Sequence, residues 1–222
     1  QEHGITFLDT AEMYGKGLSE ELIGEYQQIR RHHFSIATKG GIVVGGKRGE
    51  TDNSEAALRK ALEGSLKRLR VEQVELYYIH RRDWSIEIED VTETLAKFKS
   101  EGKIGGFGFS EIAPSSLRRA HAVHPVTAVQ NEYSLWTRYP DLGMLQTCRE
   151  LEVTFVPFSP LARGMLTDTV PVLENFAEAD FRKNMPRFLE PNFSANCKFI
   201  SSFRDFARSR GWSTTEAALA WV

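Results

Sequence analysis

Short apolar runs alternate with longer amphipathic stretches along this chain, and that alternation constrains the fold more than any other feature. The apolar runs are nearly continuous, as is typical of strands that are covered on both faces of a parallel sheet. Six runs are predicted as strands: 5–9, 34–39, 74–80, 104–110, 128–133 and 153–159. Strands that recur every roughly 25–40 residues with helices between them predict βαβ units.

The stretches between these strands have helical spacing and recognisable ends. Ser54 is predicted to begin one helix, and Ser213 with Glu216 forms a capping box that predicts the start of the last helix. Ser19 is predicted to cap an earlier helix that buries Leu22, Ile23 and Tyr26. The core face of the helix after Ser54 is predicted to consist of Leu58, Ala61, Leu62, Ser65, Leu66 and Leu69.

A closed barrel and an open doubly wound sheet both fit this alternation. The first strand is followed by a turn without a GxGxxG or Walker A loop, which argues against a dinucleotide-binding Rossmann unit. The irregular stretch 162–196 is predicted to be a long functional loop or lid. We therefore expect an α/β fold of the (β/α)8 TIM-barrel type, here with about six of eight strand–helix units.

Composition excludes several classes of protein. The net charge is −2, which gives no strong field for nucleic acid or an anionic membrane, and no apolar run is long enough to span a bilayer. The two cysteines are far apart and in no zinc-binding pattern, so no metal site is predicted. These features predict a cytoplasmic protein; its oligomeric state is not readable from them.

Polar residues stand where successive predicted strands end. Asp9, Lys39 and His80 close the first three strands, and Tyr14 follows Asp9 by five residues. Later strands carry polar residues at the corresponding end: Ser110, Gln130 and Ser159. The carboxyl ends of parallel strands form the active-site mouth of α/β barrels, so these side chains are expected to converge.

The first four of these residues suggest a proton-transfer site. A lysine ammonium beside a phenol is expected to lower the phenol's pKa, a carboxylate keeps that ammonium charged, and a neutral imidazole can orient a carbonyl oxygen. Each residue also has an ordinary structural interpretation when taken alone: Asp9 as a turn residue, Tyr14 as a half-buried aromatic, Lys39 as a structural partner of Asp9, and His80 as a core histidine. Their joint position at strand ends favours the chemical interpretation.

Three segments resemble motifs of the aldo-keto reductase family. GITFLDTAEMYG resembles the signature in which Asp9 and Tyr14 are catalytic, SIATKGG resembles the strand with the catalytic Lys39, and LYYIHRRD resembles the strand with the catalytic His80. The resemblance is nearest to the branch of perakine reductase-like and pyridoxal reductase-like enzymes. It implies an NADP(H)-dependent reductase of aldehydes or ketones with Tyr14 as the general acid.

Further segments resemble the family's cofactor site. GFGFSE and AVQNEYSLW are similar to the strands that hold the nicotinamide carboxamide, and FVPFSPLARGMLT is similar to the loop beside the cofactor. The cofactor residues implied by this resemblance are Ser110, Glu111, Gln130, Phe158, Ser159, Leu161, Arg163 and Gly164. Family members usually have Asn where this chain has Glu111, and an ionised carboxylate can only accept hydrogen bonds. Trp84 and Trp136 are candidates for the walls of the substrate pocket.

The resemblance extends over residues 1–222, which we expect to form a single barrel domain that is incomplete at both ends. The motifs begin at what would be the second barrel strand and end before the eighth. The choice of NADP over NAD is therefore implied by the family resemblance alone. One alternative is a non-catalytic or redox-sensing scaffold that binds the cofactor on the same barrel. Another is a metal-dependent hydrolase using His80 and Asp83, although the chain has no HxH or HExxH pair.

Overall fold

A computed structural model describes residues 4–30 and 34–222 of the chain. Within these residues the chain forms six strands and seven α-helices. The strands β1 to β6 are Phe7–Asp9, Ser35–Gly40, Val74–Ile79, Ile104–Ser110, Ala128–Glu132 and Thr154–Phe158. The helices α1 to α7 are Leu18–Arg30, Glu55–Leu69, Ile88–Ser100, Pro114–Val123, Met144–Glu150, Asn192–Ser209 and Thr214–Trp221.

The six strands form one sheet in the order of the chain, from β1 to β6. The ladders from β1 through β5 are parallel, and helices α1 to α4 lie between successive strands in sequence. All six predicted strands are confirmed to within two residues at either end. The predicted fold, a (β/α) barrel of TIM type with six strand–helix units, is also confirmed.

Each strand presents its side chains alternately to the two faces of the sheet. The outer face packs against the helices and forms the largest apolar cluster, which includes Ile36, Tyr77, Phe107 and Val129. The inner face carries a smaller buried cluster of Ala37, Leu76, Tyr78 and Ala128. Both faces are therefore covered over β2 to β5, which explains why these strands are nearly continuous apolar runs.

One side-chain hydrogen bond shows that the sheet is strongly curved. The Gln130 amide Nε2 donates to Asp9 Oδ2 at 2.8 Å, although these residues belong to β5 and β1. Three strands separate them in the sheet, so a flat arrangement at about 4.8 Å per strand would place them much further apart. The inner face is consequently concave, as in a barrel wall.

The described residues divide into two compact units. Unit 1 comprises Gln1–Asn131 and Asp141–Val156, and unit 2 comprises Glu132–Pro140 and Pro157–Val222. Unit 1 contains both clusters of the sheet described above. Unit 2 has its own core, built around Met165, Phe188 and Ile200.

Helix α2 follows its sequence pattern closely. All six residues predicted to face the core are buried, and the Ser54 hydroxyl accepts a hydrogen bond from the backbone N–H of Ala57 at 3.3 Å. The capping box of α7 is confirmed as well, since the Ser213 hydroxyl and the Glu216 carboxylate each accept from the other's backbone N–H.

Helix α1 differs from its prediction. It begins at Leu18, so Ser19 lies inside the first turn and its hydroxyl pairs with that of Thr10 at 2.8 Å. Leu22 and Tyr26 are exposed. The face that is buried instead is polar or small: Glu20, Gly24 and Gln27. The reason is electrostatic, because the Glu20 carboxylate accepts from Thr38 Oγ1 at 2.5 Å and from Arg68 Nε at 2.7 Å.

The stretch 162–196 is irregular, as expected, but it is organised by short 3₁₀ turns. These turns are Ala162–Gly164, Leu173–Asn175, Phe181–Asn184 and Pro186–Phe188. The helix α6 that follows buries Ile200 and Ala207, whereas Phe199 and Phe206 are exposed. None of the helices in the described part of the chain combines the length and hydropathy that a bilayer crossing requires.

Candidate active site

The register of the parallel strands places five predicted site residues on the inner face. Asp9 pairs with Ala37, two residues before Lys39, and Lys39 pairs with Tyr78, two residues before His80. Because side chains alternate, residues two apart share a face. Ser110 pairs directly with Gln130 on the same face. Asp9, Lys39, His80, Ser110 and Gln130 therefore all lie at the carboxyl ends of neighbouring strands, on the concave side.

An ion pair between the buried Lys39 and the partly exposed Asp9 forms the centre of this group. The Lys39 side chain is fully buried, and its Nζ donates to Asp9 Oδ1 and to the backbone carbonyl of Thr10, the latter at 2.8 Å. The second Asp9 oxygen accepts from Gln130. Both carboxylate oxygens thus have partners, which satisfies the charges that burial would otherwise penalise.

Tyr14 stands beside this pair. It begins a 3₁₀ turn after β1, and its backbone N–H donates to the carbonyl of Ala11 at 3.0 Å. The Tyr14 ring meets the His80 ring edge to face, with centroids 5.9 Å apart, and Lys39 Nζ lies 5.4 Å from the Tyr14 ring centroid. Tyr14 remains 43% exposed, so the phenol can be reached by a ligand from outside the protein.

The pKa of Tyr14 moves opposite to the direction expected from the sequence. Partial burial raises the pKa of the phenol above its usual value, the Asp9 carboxylate raises it further, and the Arg81 guanidinium partly opposes both. The expected lowering of the pKa of Tyr14 by Lys39 is not found. Tyr14 therefore keeps its proton at neutral pH.

His80 and Lys39 are both affected by burial. Burial, Arg81 and Lys39 together lower the pKa of His80 to about 3, so the imidazole is neutral at physiological pH. Burial also lowers the pKa of Lys39, while Asp9 opposes that change through its charge and its hydrogen bond. A neutral imidazole beside a protonated phenol is able to hydrogen-bond an oxygen atom without placing a second positive charge near it.

The ends of β4 and β5 are held together beside these groups. Ser110 is buried and its Oγ accepts from Arg81 Nη1 at 3.0 Å. Glu111 has a left-handed backbone with φ of 58°. Its N–H donates to the Gln130 carbonyl at 3.1 Å and to Asn131 Oδ1 at 2.9 Å. The conformation turns the chain away from the sheet immediately after Ser110.

The two predicted pocket tryptophans lie in different surroundings. Trp84 is 74% exposed, and its ring lies against the Arg82 guanidinium at 4.4 Å. Trp136 belongs to unit 2, where it packs against the core of that unit and meets Phe199 edge to face at 6.5 Å.

The remaining predicted cofactor residues belong to unit 2. Ser159 and Arg163 line a cavity of about 580 Å³ together with Asp180, Phe181 and Arg182. The Arg163 guanidinium lies 6.0 Å from the Phe158 ring centroid. Leu161 packs on the core of the unit, and Gly164 has a φ of +97° that other residues rarely adopt.

Sequence analysis did not identify several residues that belong to these sites. Arg81 touches both His80 and Ser110, Asn131 holds the backbone of Glu111, and Arg182 lines the cavity of unit 2. The position of Arg81 directly after His80 was a usable signal. No local pattern points to Asn131, because its partners Glu111 and Ile112 lie 20 and 19 residues away. Arg182 pairs with the nearby Asp180, and nothing in that local pair indicates the cavity that both residues line.

Among the described residues, no group of three or more His, Cys, Asp or Glu side chains could hold a metal ion. A carboxylate, an ammonium, a phenol and a neutral imidazole lie together at the rim of a (β/α) barrel, an arrangement that is chemically suited to proton transfer. Comparison with known proteins identifies the family. A family model described as "Aldo/keto reductase family" matches residues 1–222, and the chain therefore belongs to the aldo/keto reductase family.

Individual relatives agree with this assignment. A "Probable aldo-keto reductase 1" from Glycine max is 41% identical over 221 residues, which are 99% of this chain and 64% of that protein. The structure of a glycerol dehydrogenase from Gluconobacter oxydans has a TM-score of 0.88 and 31% identity, covering 99% of this chain and 69% of that one. An aldo/keto reductase from Klebsiella pneumoniae in complex with NADP and acetate has a TM-score of 0.70 and 25% identity, covering 100% and 67%.

The chain thus spans 64% of the length of the curated plant relative. The comparisons show the family and the fold of the matched part.

Proposed function

We propose that this protein is an NADP(H)-dependent oxidoreductase that reduces the carbonyl group of a small aldehyde or ketone to an alcohol. The observation that supports the proposal is the environment of Lys39. Its ammonium is fully buried, pairs with Asp9 and lies 5.4 Å from the ring centroid of Tyr14, which is accessible from outside the protein. We also propose that residues 1–222 belong to one catalytic domain, because a single family model spans both units.

In this proposal Tyr14 is the proton donor. A bound NADPH supplies the hydride that adds to the carbonyl carbon. The Tyr14 O–H gives its proton to the carbonyl oxygen, which becomes the hydroxyl of the product alcohol. Because the pKa of Tyr14 is raised by burial and by Asp9, the phenol carries the required proton throughout the neutral range.

The other three residues support that transfer. His80 is neutral and stands edge to face with Tyr14, so its ring N–H is suited to orient the carbonyl oxygen. Lys39 provides a positive charge 5.4 Å from the centre of the Tyr14 ring, and Asp9 keeps the lysine in place. Such preorganised charges act most strongly in a water-poor site.

The residues present also fit a dinucleotide phosphate cofactor. In unit 2, Arg163, Arg182 and Ser159 line a cavity in which Arg182 pairs with Asp180, while Arg163 pairs with Glu132. The Arg163 Nε is buried and has no hydrogen-bond partner among the described residues, which leaves a donor for an anion. In unit 1, the Ser110 hydroxyl and the Gln130 amide are suited to a carboxamide.

On this basis we propose a role for each predicted cofactor residue. Ser110, Glu111 and Gln130 are assigned to the nicotinamide, and the unit 2 residues Phe158, Ser159, Leu161, Arg163 and Gly164 to the nicotinamide ring and the pyrophosphate. Trp84 and Trp136 remain predictions for the substrate pocket.

The test is the Tyr14→Phe variant of the full-length protein. Removal of the phenol oxygen takes away the proton donor while the ring that contacts His80 stays. We expect NADPH oxidation in the presence of a panel of aldehydes to slow by about 10²–10⁴-fold, the usual contribution of a positioned acid. NADPH binding, measured by fluorescence titration, is expected to stay near the wild-type value.

Tyr26→Phe is the matched control. Tyr26 is about as exposed as Tyr14 but lies on α1, where its ring centroid is 6.1 Å from that of Phe34. Wild-type turnover by Tyr14→Phe would contradict the acid role. Tight NADPH binding by the wild-type protein without turnover on any aldehyde or ketone would favour the alternative of a cofactor-binding scaffold.

A further inference from the structure

Arg81 makes a two-point contact that no family motif assigned. Its Nη1 atom donates to the backbone carbonyl of His80 at 2.5 Å and to Ser110 Oγ at 3.0 Å. These acceptors lie at the carboxyl ends of β3 and β4, which are neighbours in the sheet. One guanidinium nitrogen therefore joins the residue assigned to the substrate carbonyl and a residue assigned to the cofactor.

The contact also fixes the role of the Ser110 hydroxyl. A serine hydroxyl has one donor hydrogen and two acceptor positions. Because Arg81 occupies an acceptor position, the Ser110 hydrogen must point to a different atom. Ser110 is almost completely buried. Without the contact to Arg81, its hydroxyl could rotate and its hydrogen would have no fixed direction. Arg81 thereby turns the Ser110 hydrogen away from itself, so that the hydroxyl can donate it to another acceptor, as a carboxamide oxygen requires.

The charge of Arg81 reaches the neighbouring titratable groups as well. It opposes the rise in the pKa of Tyr14 that burial and Asp9 cause, and it contributes to the lowered pKa of His80 and of Lys39. The groups around Tyr14 are then Asp9 from β1, Lys39 from β2, and His80 with Arg81 at the end of β3. Arg81 acts on three of the four proposed catalytic residues.

We infer that Arg81 is a positioning residue for the proposed reductase: it links the ends of β3 and β4 and directs the Ser110 hydroxyl toward the nicotinamide carboxamide. It acts through Ser110 and His80 and does not itself need to touch the substrate. The inference rests on the proposed function for the cofactor, but the influence of its charge on Tyr14 is a property of the protein alone.

The experiment compares three variants of the full-length protein. Arg81→Gln removes the charge and the two-point contact, and Arg81→Lys keeps the charge but replaces the planar fork with a compact ammonium. Arg82→Gln is the matched control. The adjacent Arg82 donates to Ser116 Oγ on α4 at 3.1 Å and stacks on Trp84, so it makes neither of the Arg81 contacts.

Two measurements separate geometry from charge. The dissociation constant of NADPH, from fluorescence titration, is expected to rise about three- to tenfold in both Arg81 variants, the value of a typical hydrogen bond, and to stay unchanged in Arg82→Gln. The pKa of Tyr14 is followed in cofactor-free protein by NMR of ¹³Cζ-labelled tyrosine, with Tyr14→Phe to assign the signal. That pKa is expected to rise in Arg81→Gln and to stay near the wild-type value in Arg81→Lys.

The outcomes are distinguishable from failure of the proposed function. A wild-type protein that binds no NADPH overturns the proposed function, and the NMR titration then still decides whether Arg81 acts on Tyr14. Wild-type NADPH affinity in Arg81→Lys overturns the geometric part, and an unchanged Tyr14 pKa in Arg81→Gln overturns the electrostatic part. If circular dichroism shows that Arg81→Gln does not fold, Arg81→Lys alone decides the positioning role, because it keeps the charge and most of the side chain.

Discussion

Asp9 links the proposed proton-transfer groups to the far side of the sheet. One of its oxygens pairs with Lys39 and the other accepts from Gln130, a residue assigned to the cofactor. The phenol of Tyr14 is not acidified as the sequence suggests, because burial and the Asp9 carboxylate raise its pKa and Arg81 opposes them only in part.

At the residue scale, these environments predict the pH profile of carbonyl reduction. The pKa of His80 is lowered to about 3, so no titration of this imidazole is expected between about pH 5 and pH 8, and kcat/KM should be flat there. The pKa of Tyr14 is raised, so its acid form is lost only as the pH rises beyond about 10, the usual value for a phenol. Steady-state rates over this range provide the measurement.

The control for this prediction is the His80→Gln variant, which keeps a hydrogen-bond donor and cannot titrate. A break in the wild-type profile near about pH 6.5, the ordinary histidine value, that vanished in His80→Gln would show that His80 is protonated during turnover. A decline in activity well below pH 10 that Tyr14→Phe removes would show that the phenol is more acidic than its surroundings indicate.

Helix α2 organises the first half of unit 1 at the scale of single elements. Its apolar face packs on the sheet, while Arg68 on its side reaches Glu20 of α1 and Glu12 in the loop that carries Tyr14. Gly24 of α1 lies so close to α2 that an added Cβ would stand 2.3 Å from the carbonyl oxygen of Arg68. The position of α1 therefore depends on α2 being well formed.

The cap of α2 gives a prediction at this scale. Ser54→Ala removes the hydroxyl that accepts from the Ala57 N–H, and we expect the free energy of unfolding to fall by about 1 kcal/mol. Ser54→Asp keeps a capping oxygen and should stay close to the wild-type value. Urea unfolding followed by circular dichroism measures both variants, and equal stability of Ser54→Ala and Ser54→Asp would show that the cap contributes nothing.

At the scale of the whole molecule, the inner face of the sheet is packed by placing large side chains next to small residues. Tyr78 is buried there, and its direct partners across β2 and β4 are Lys39 and Gly108. A Cβ on Gly108 would lie 2.3 Å from the Ala128 carbonyl oxygen and 2.7 Å from the Tyr78 ring. Small residues at this level leave the room that Lys39 and Tyr78 occupy.

Gly108→Ala is therefore expected to destabilise the protein by about 1–3 kcal/mol, the usual cost of overpacking a core. Gly64→Ala adds the same methyl group to the middle of α2, where it meets the flexible end of Arg68 at 3.0 Å. That change should be neutral or stabilising by up to about 1 kcal/mol, because alanine favours a helix over glycine. Urea midpoints of the two variants that shift in the same direction would contradict this account of the inner face.

The order of strands and helices, the apolar face of α2 and the residues at the strand ends were all readable from the sequence. They depend on periodicity and on capping residues within a few positions of each other, and this short-range information is present in any single chain. The family resemblance added proposed roles to Asp9, Tyr14, Lys39 and His80, which the strand ends had already brought into one set.

The partners of those residues were decided by the tertiary structure. The Asp9–Gln130 hydrogen bond requires the curvature of five strands, and the Arg81 contact with Ser110 requires the register of β3 against β4. The polar face of α1 is buried because Glu20 meets Arg68 and Thr38, which lie 48 and 18 residues away in sequence. Hydrogen bonds and charges act over a few ångströms in space, so the partner of a buried polar group, and with it the direction of a pKa shift, is settled only when distant segments are brought together.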